Sequence, residues 1–270
     1  MSRLRTAVGV AAGAWLLDAS VLAPRRFRIY DSPLSVPGWP AGLAGLRVAL
    51  VADVHAGAPW VDLARVRAVV DAVVAAAPDL ILLLGDHVAD VSFGTHLEPG
   101  PVAHALGGLL RADVPVVGVL GNHDWYAGGW RVRAALTEAG LPVLENEAVP
   151  VLDGRLWVAG VADLWEREPS IARALAGVPA GAPVLLMTHN PDVVAEVPAH
   201  VPLVVAGHTH GGQVAVRGRP LHALSERTGN RWTQGWYPED RLFITAGVGS
   251  SLVPLRSVAP EVPVLVLSPG

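Results

Sequence analysis

Short runs of apolar residues recur along the chain and alternate with stretches of helical pattern. Residues 61–77 have apolar positions at helical spacing, and Pro78 ends this pattern. The apolar runs that predict strands are 47–52, 79–84, 114–120, 156–161, 183–187, 203–206, 242–246 and 262–267. Strands this apolar are buried on both faces, so the pattern predicts an α/β protein whose sheets are covered by helices or by a second sheet.

Five of these runs are followed by side chains that can bind metal ions. In α/β proteins, ligands bind beyond the carboxyl ends of the strands, so side chains placed there converge on one site. The residues in question are Asp53 and His55, then Asp86, then Asn122 and His123, then His189, and finally His208 and His210.

The donors in this set are carboxylate, amide and imidazole groups, and the chain has no cysteine. Such donors suit Mn, Fe, Zn or Mg. A carboxylate can bridge two cations, and two ions about 3.5 to 4 Å apart can hold both the attacking and the leaving oxygen of a phosphoryl transfer. Coordinated water then ionises near neutral pH, so metal-bound hydroxide can attack without a side-chain nucleophile. The set therefore predicts a two-metal phosphoesterase.

Each segment taken alone also has an ordinary structural explanation. Asp53 can be a capping residue beside a surface histidine, and residues 121–124 can form a turn. The two histidines of residues 207–212 lie between glycines, which indicates close approach of the backbone to ions. The order of all five segments and their position after strands favour the metal site.

Composition narrows the class of protein. The 270 residues are 51% hydrophobic and 16% charged, which excludes a disordered chain and allows one large core. The formal net charge of -4 gives no support for a nucleic-acid surface or a nuclease groove, since both need clustered cationic side chains. We therefore expect a phosphorylated small molecule or lipid as the partner, and no nucleic acid.

The successive motifs resemble those of calcineurin-like metallophosphoesterases, and among them the bacterial branch described as YkuE-like. The resemblance covers residues 46–267. It implies a four-layer α/β/β/α sandwich of two mixed sheets flanked by helices. The matching segments are Asp53-Val54-His55, Gly85-Asp86, Gly121-Asn122-His123-Asp124, Thr188-His189-Asn190-Pro191-Asp192, Gly207-His208-Thr209-His210, and residues 247–251 with Pro254 and Arg256.

The resemblance also implies seven ligands for two divalent metal ions. The first ion would take Asp53, His55 and His210, the second would take Asn122, His189 and His208, and Asp86 would bridge the two.

Four further residues receive roles near the substrate. By the same resemblance, His123 would lie over the phosphate and stabilise charge or protonate the leaving oxygen, and Asp124 would orient its ring. Asn190 and Arg256 are candidate substrate contacts. One departure from the wider family is the segment after Asp86, where residues 86–91 lack the arginine that often follows. Protein-phosphatase-like recognition through that arginine is therefore not expected.

The first thirty residues form a separate segment. Residues 6–23 are nearly all apolar, with basic residues before and after them and Asp18 inside the run. This pattern predicts a signal anchor or short membrane helix, with a helix packed on the domain or lying in the interface as alternatives, and it leaves the face of the membrane undecided. Residues 31–45 are interpreted as an extended linker and residues 46–270 as the catalytic domain.

Several substrates and one different function stay open. The tryptophans in loops near the motifs can line an apolar cleft, face a membrane, or pack the loops. The resemblance offers the pyrophosphate of UDP-2,3-diacylglucosamine as one substrate, beside other phosphodiesters and phosphomonoesters. A non-catalytic metal-binding domain of the same fold is the alternative function. His87 is interpreted as a residue that supports the site or lies at the surface, with contact to substrate as the alternative, and His96, His104, His200 and His222 are interpreted as surface or packing residues. The loop tryptophans are Trp60, Trp125, Trp130, Trp165, Trp232 and Trp236.

Overall fold

The computed structural model describes residues 2–90, 92–216, 219–221, 231–251 and 254–270. Its centre consists of β-strands, most of which coincide with the predicted apolar runs. The strands are β1 (Arg28–Val36), β2 (Arg47–Val51), β3 (Leu80–Leu84), β4 (Val116–Val119), β5 (Glu147–Val151), β6 (Leu156–Gly160), β7 (Val184–Met187), β8 (Leu203–Ala206), β9 (Ala215–Val216), β10 (Arg219–Pro220), β11 (Gly235–Tyr237), β12 (Leu242–Ile244) and β13 (Glu261–Pro269). Of these, β1, β5, β9, β10 and β11 were not predicted.

Two mixed sheets contain nearly all of these strands. The first sheet has the order β1-β13-β2-β3-β4, in which β13 is parallel to β1 and antiparallel to β2. The second has the order β11-β12-β8-β7-β6-β5, with four parallel strands in the middle and an antiparallel strand at each edge. β9 and β10 pair separately as a short ribbon.

The helices flank the two sheets. They are α1 (Ser2–Leu17), α2 (Leu63–Ala75), α3 (Pro99–Gly107), α4 (Asn122–Tyr126), α5 (Gly129–Glu138) and α6 (Ile171–Leu175). One face of the first sheet packs on α2, α3 and α5. Its other face meets the second sheet, whose outer face packs on α6 and the 3-10 helix Pro191–Glu196. The predicted four-layer α/β/β/α sandwich is confirmed.

Alternation of side chains explains this layering. Along β2, Val48 and Leu50 belong to the core between the sheets, while Ala49 and Val51 belong to the core beneath the helices. Successive side chains of a strand point to opposite faces, so a strand buried on both sides must be apolar at every position. The apolar runs in the sequence are apolar at almost every position, and this is why they predict buried strands.

Residues 31–45 differ from the linker that we predicted. Most of β1 lies in this range, where it is the edge strand of the first sheet and pairs with β13 along its whole length. Pro33 is tolerated because an edge strand does not need every backbone N–H for the ladder. Trp39 is buried, and its indole N–H donates to the carbonyl oxygen of Leu43 at 3.0 Å. This part of the chain therefore belongs to the sheet and its core.

The N-terminal segment is helical. α1 covers 16 residues and continues into a π-helical turn at Asp18–Leu22. Among the helices of the described residues, none combines the length and apolar character needed to cross a bilayer. Asp18, the acidic residue inside the apolar run, forms an ion pair with Arg26 at 3.0 Å. Its charge is thus compensated within the segment itself.

Loops from both sheets meet at the carboxyl ends of the parallel strands. The backbone N–H of Asp53, after β2, donates to the carbonyl of Gly85, after β3. The backbone N–H of His208, after β8 in the second sheet, donates to the Asp53 carboxylate at 3.0 to 3.1 Å. The two sheets are therefore joined at this edge by the segments that carry the predicted ligands.

Candidate metal centre

Four of the predicted ligands form a first cluster. The donor atoms of Asp53, His55, Asp86 and His210 all lie within 4.8 Å of one another, and all four residues are buried. The Nε2 atom of His55 is 3.3 Å from Oδ2 of Asp86 and 3.2 Å from Nε2 of His210. In this cluster imidazole nitrogens face each other and a carboxylate. A bound cation would compensate the negative charge of the carboxylate and accept the nitrogen lone pairs.

A second cluster shares one residue with the first. Donor atoms of Asp86, His189 and His208 also lie within 4.8 Å of one another. Oδ2 of Asp86 is 3.2 Å from Nε2 of His189, and Nδ1 of His208 is 3.1 Å from the same Nε2. The structure thus divides the histidines into the two groups that the resemblance implied, with Asp86 between them.

Asn122 adds an oxygen beside the second cluster. It is the first residue of α4, and the hydroxyl of Tyr126 contacts its side chain. Its Oδ1 atom is buried and has no hydrogen-bond partner among the described residues. A buried amide oxygen without a hydrogen-bond partner is costly unless a bound ion or ligand satisfies it. A divalent cation fits that need, and the carboxylate, amide and imidazole donors around it suit such an ion.

Two histidines are fixed through the nitrogen that faces away from the cluster. Nδ1 of His189 lies 2.8 Å from the carbonyl oxygen of Leu84, and Nδ1 of His210 lies 3.2 Å from that of Gly249. A histidine that donates one ring N–H to a carbonyl keeps its other nitrogen free as a ligand. These contacts aim the Nε2 atoms of both rings into the site.

The backbone of the site lies in the left-handed region at five predicted ligands. This conformation is uncommon for residues other than glycine, and it persists where the surrounding structure holds it, often at functional sites. At Gly85 (φ +92°), a Cβ atom would lie 2.7 Å from Nδ1 of His189, so only glycine allows this approach. The five residues are Asp53 (φ 50°), His55 (φ 45°), Asp86 (φ 55°), His208 (φ 72°) and His210 (φ 51°).

The buried charges shift the pKa values of the cluster strongly. Burial raises the pKa of Asp53 to about 7. Burial acts in the same direction on Asp86, but the neighbouring His189 and His55 hold its pKa well below the usual value. Conversely, burial would lower the pKa of His189, but the Asp86 carboxylate raises it to about 10. In the metal-free protein a proton on His189 therefore compensates Asp86.

Two further histidines of the clusters, His208 and His210, are neutral. Burial, together with the charge of His189, lowers the pKa of His208 to about 3. Burial, together with His55 and Arg256, lowers the pKa of His210 well below its usual value. A neutral imidazole is the form that binds a metal ion.

His123 lies at the edge of the first cluster and is partly exposed. Its ring centroid is 4.8 Å from that of His55, and its backbone N–H donates to Oδ1 of Asp86 at 2.9 Å. Burial lowers its pKa. Its Nδ1 atom lies 3.1 Å from the carbonyl oxygen of Asp90. The structure therefore places this ring beside the ligands and holds it through a backbone carbonyl.

Asp124 does not hold the ring of His123 as we predicted. Its carboxylate accepts the backbone N–H groups of His87 (2.8 Å), Val88 (3.0 Å) and Gly121 (3.0 Å). It is fully buried and joins the loop after β3 to the loop after β4. The side chain of an N-terminal helix residue satisfies nearby backbone donors more readily than it reaches an adjacent ring. Asp124 thus fixes the positions of the segments that carry Asp86 and Asn122.

Arg256 and Asn190 face the interior, which argues against the predicted substrate contacts. Arg256 is fully buried, and its guanidinium donates to the carbonyl oxygens of Ala246, Gly247, Gly249 and Val258. Asn190 is buried too, and its Oδ1 atom accepts the backbone N–H of Asp192 at 3.0 Å. Both residues hold loops of the site in place.

Comparison with known proteins gives the family. Residues 46–212, which are more than half of the chain, match the calcineurin-like phosphoesterase family. The chain belongs to this family. As a member it is a metal-dependent phosphoesterase, and the segment with the family match contains all seven predicted ligands.

Three relatives illustrate the similarity. The chain is 30% identical over 235 residues to Phosphodiesterase YaeI of Escherichia coli, with 83% of each protein covered. It is 25% identical over 268 residues to the uncharacterized metallophosphoesterase YkuE of Bacillus subtilis, covering 96% of the chain and 91% of that protein. A zebrafish (Danio rerio) transmembrane protein with a metallophosphoesterase domain is 28% identical over 253 residues, which are 85% of the chain but 54% of that protein. This metallophosphoesterase therefore spans about half the length of the zebrafish relative.

Two polar residues near the metallophosphoesterase site lie outside the sequence motifs. Asp163 follows β6 and is buried, with Oδ1 lacking a partner among the described residues, and burial raises its pKa. Tyr126 lies one turn after Asn122 and contacts its side chain. Asp163 follows the end of a strand, as the predicted metal ligands do, and this position is the sequence signal that indicates it as a site residue. His87 is buried with Nε2 3.0 Å from the carbonyl oxygen of Val119, and His222 lies outside the described residues.

Proposed function

We propose that the chain hydrolyses a phosphodiester, phosphomonoester or pyrophosphate bond with the help of two divalent metal ions. The observation that carries this proposal is the position of Asp86. Its carboxylate belongs to both donor clusters, and the Oδ2 atom lies 3.3 Å from Nε2 of His55 and 3.2 Å from Nε2 of His189. A carboxylate shared in this way is what a two-metal phosphoesterase needs as a bridge.

The residues divide into two ligand sets around this bridge. Asp53, His55 and His210 would hold one ion, and Asn122, His189 and His208 would hold the other. Mn, Fe, Zn and Mg all accept this mixture of oxygen and imidazole donors. When bound, the ions supply Lewis acidity toward the phosphoryl oxygens and lower the pKa of water for attack on phosphorus.

His123 is the residue best placed to act on the leaving group. It lies beside His55 and is partly exposed, and the Asp90 carbonyl sits against Nδ1. With a proton on Nδ1 held by that carbonyl, Nε2 is free to face the phosphate, where a protonated ring can donate to the leaving oxygen. The guanidinium of Arg256 donates to backbone carbonyl oxygens and is not available to the phosphate. The ions and His123 would therefore neutralise the charge of the phosphate.

A diester, including one attached to a lipid, is the substrate class that we favour. One relative is named a phosphodiesterase, and another is named a transmembrane protein. The N-terminal helix α1 exposes apolar side chains, among them Val10, Leu16 and Leu17. Exposed apolar residues in a continuous segment suit contact with lipid better than contact with water. Sedimentation with phospholipid vesicles tests this part: the full chain should pellet, whereas a chain lacking residues 1–27 should not.

The experiment that tests the reaction is metal-restored hydrolysis. The purified protein is stripped of metal, reloaded with Mn, Zn, Fe(II) or Mg, and assayed with bis-p-nitrophenyl phosphate and p-nitrophenyl phosphate. Cleavage that depends on metal supports the proposal, and a higher kcat/KM on the diester supports the favoured class. Two bound ions without cleavage of any phosphate ester would instead favour a non-catalytic metal-binding domain.

A further inference from the structure

Trp165 lies at the open side of the second donor cluster. Its ring is perpendicular to that of the predicted ligand His208, with the two centroids 4.5 Å apart. Nevertheless 47% of its surface is exposed. A large aromatic side chain that touches a metal ligand and yet faces solvent has apolar surface available for a molecule bound at the metals.

The loop that carries Trp165 is held firmly. Oδ2 of Asp163 accepts the backbone N–H groups of Trp165 (3.0 Å) and Glu166 (2.8 Å). The backbone N–H of Arg167 donates to the carbonyl oxygen of Asp163 at 3.1 Å. Trp165 is therefore presented from a fixed turn, so a contact with it would cost little ordering of the protein.

A second exposed aromatic ring lies near the catalytic histidine. Tyr126 is 47% exposed, and its ring centroid is 5.5 Å from that of His123 at an interplanar angle of 80°. Its hydroxyl contacts the side chains of Asn122 and Glu166, and Glu166 follows Trp165 in the chain. Tyr126 and Trp165 are thus connected through the same turn while they border different parts of the site.

We propose that Trp165 determines specificity by contacting the non-leaving ester group of a phosphodiester, and that this group carries a flat ring such as an aryl group or a nucleobase. The inference rests on the proposed function. His123, the candidate donor to the leaving oxygen, contacts His55, whereas Trp165 contacts His208. The group that reaches Trp165 is therefore the one that remains on phosphorus. An indole ring favours planar partners because it stacks or meets them edge to face.

Two substrates that differ only in the non-leaving group test this inference. Bis-p-nitrophenyl phosphate and methyl p-nitrophenyl phosphate release the same leaving group, but only the first keeps an aryl ring on phosphorus. For Trp165→Ala we expect kcat/KM on the bis-aryl ester to fall about 10-fold or more, mainly through KM, and kcat/KM on the methyl ester to fall less than about 2-fold. Trp165→Phe keeps a ring and should recover most of the loss.

Trp130→Ala is the matched control. Trp130 is also an exposed tryptophan, 61% accessible, but it packs against Trp125 and Arg167. Removal of its ring should leave kcat/KM unchanged for both esters. Metal content is measured for every variant, because a purely structural role of Trp165 beside His208 would lower metal occupancy.

Three results would overturn the inference. An equal loss on both esters with reduced metal content would show that Trp165 supports His208 only. Unchanged kinetics in Trp165→Ala would show that the substrate does not reach the ring. If the wild-type protein cleaves neither ester with any metal, the favoured diester class fails and this inference fails with it. That outcome is recognisable because it appears before any variant is compared, and cleavage of p-nitrophenyl phosphate shows separately whether the proposed function holds.

Discussion

The Nε2 atom of His189 lies 3.2 Å from Oδ2 of Asp86, at the place where the two donor clusters meet. In the metal-free protein this contact is an ion pair, because Asp86 raises the pKa of His189 to about 10 against the effect of burial. The proton on His189 occupies the position that a cation would take. Metal and proton therefore compete for the same group of atoms.

Metal binding should release protons as a result. At pH 8 the metal-free His189 is protonated, since its pKa is about 10, whereas a ligand histidine must be neutral. Asp53, whose pKa is about 7, adds to the release below neutral pH. We expect the affinity for metal to rise with pH between 6 and 8, and about one proton to be released at pH 8. Calorimetric titration in buffers of different ionisation enthalpy measures the number. A heat that is independent of the buffer would contradict this prediction.

Removal of the bridge should abolish both metal binding and activity. In Asp86→Asn the side chain keeps its size but loses the charge that both clusters share. We expect loss of at least one ion and a decrease in kcat of about 1000-fold or more, since removal of a metal-organising group removes the main source of charge stabilisation. Metal analysis and kinetics with bis-p-nitrophenyl phosphate measure the two effects. Activity near that of the wild type would refute the two-metal assignment.

His123 should matter for the chemistry and not for metal binding. His123→Ala is expected to retain both ions and to lower kcat by roughly 100-fold, the size typical of the loss of a general acid or a charge-stabilising donor. The effect should shrink with an ester whose leaving group needs no proton, such as p-nitrophenolate, and grow with an alkyl leaving group. A loss that is equal for both types of ester would argue against proton donation.

Tyr126 should orient the amide of Asn122. Its hydroxyl contacts the Asn122 side chain, while Oδ1 of Asn122 stays without a partner among the described residues. Tyr126→Phe removes the hydroxyl and allows the amide to turn, so the second ion should bind about 10-fold to 100-fold more weakly, as with other residues that support a ligand. Metal titration of the variant checks this. Trp130→Phe, away from the ligands, should bind both ions normally.

Arg256 should stabilise the fold without contributing to substrate affinity. Its guanidinium satisfies carbonyl oxygens of Ala246 and Gly247 in a fully buried position. Arg256→Met would leave those carbonyls unpaired, and each unsatisfied buried group costs about 1 to 3 kcal/mol. We expect the free energy of unfolding to drop by about 3 kcal/mol or more, as measured by denaturant titration, with little change in KM of the remaining folded protein. A change in KM without a change in the free energy of unfolding would instead support Arg256 as the substrate contact that the sequence suggested.

The sequence predicted the central strands of both sheets and several side chains that lie together beyond the carboxyl ends of these strands. Residues 80–84 are buried on both faces, so their continuous apolar character was enough to identify them as a strand. The strand ends then indicated that Asp86 and His189 would lie close together. These features depend on patterns that lie within a few residues of each other along the chain.

What could not be predicted depends on partners distant in the sequence. Most of β1 was interpreted as a linker because Pro33 and the glycines and prolines after it resemble a loop. The strand that pairs with β1 lies far away in the sequence: Arg28 pairs with Glu261, 233 residues later. The roles of Asp124 and Arg256 likewise follow from backbone groups that happen to lie within reach in the folded protein. Spacing in the chain carries no information about such three-dimensional neighbours.

The place of β13 in the first sheet has a consequence for how the chain is made. This strand is synthesised after every other strand of the sheet and lies between β1 and β2, so those two strands cannot join one sheet without it. During translation β2, which leads into Asp53 and His55, would keep an unpaired edge until residues 261–269 leave the ribosome. The first sheet, which carries part of the metal centre, is therefore completed only once residues 261–269 are available, and the nascent chain must be kept from aggregating until then.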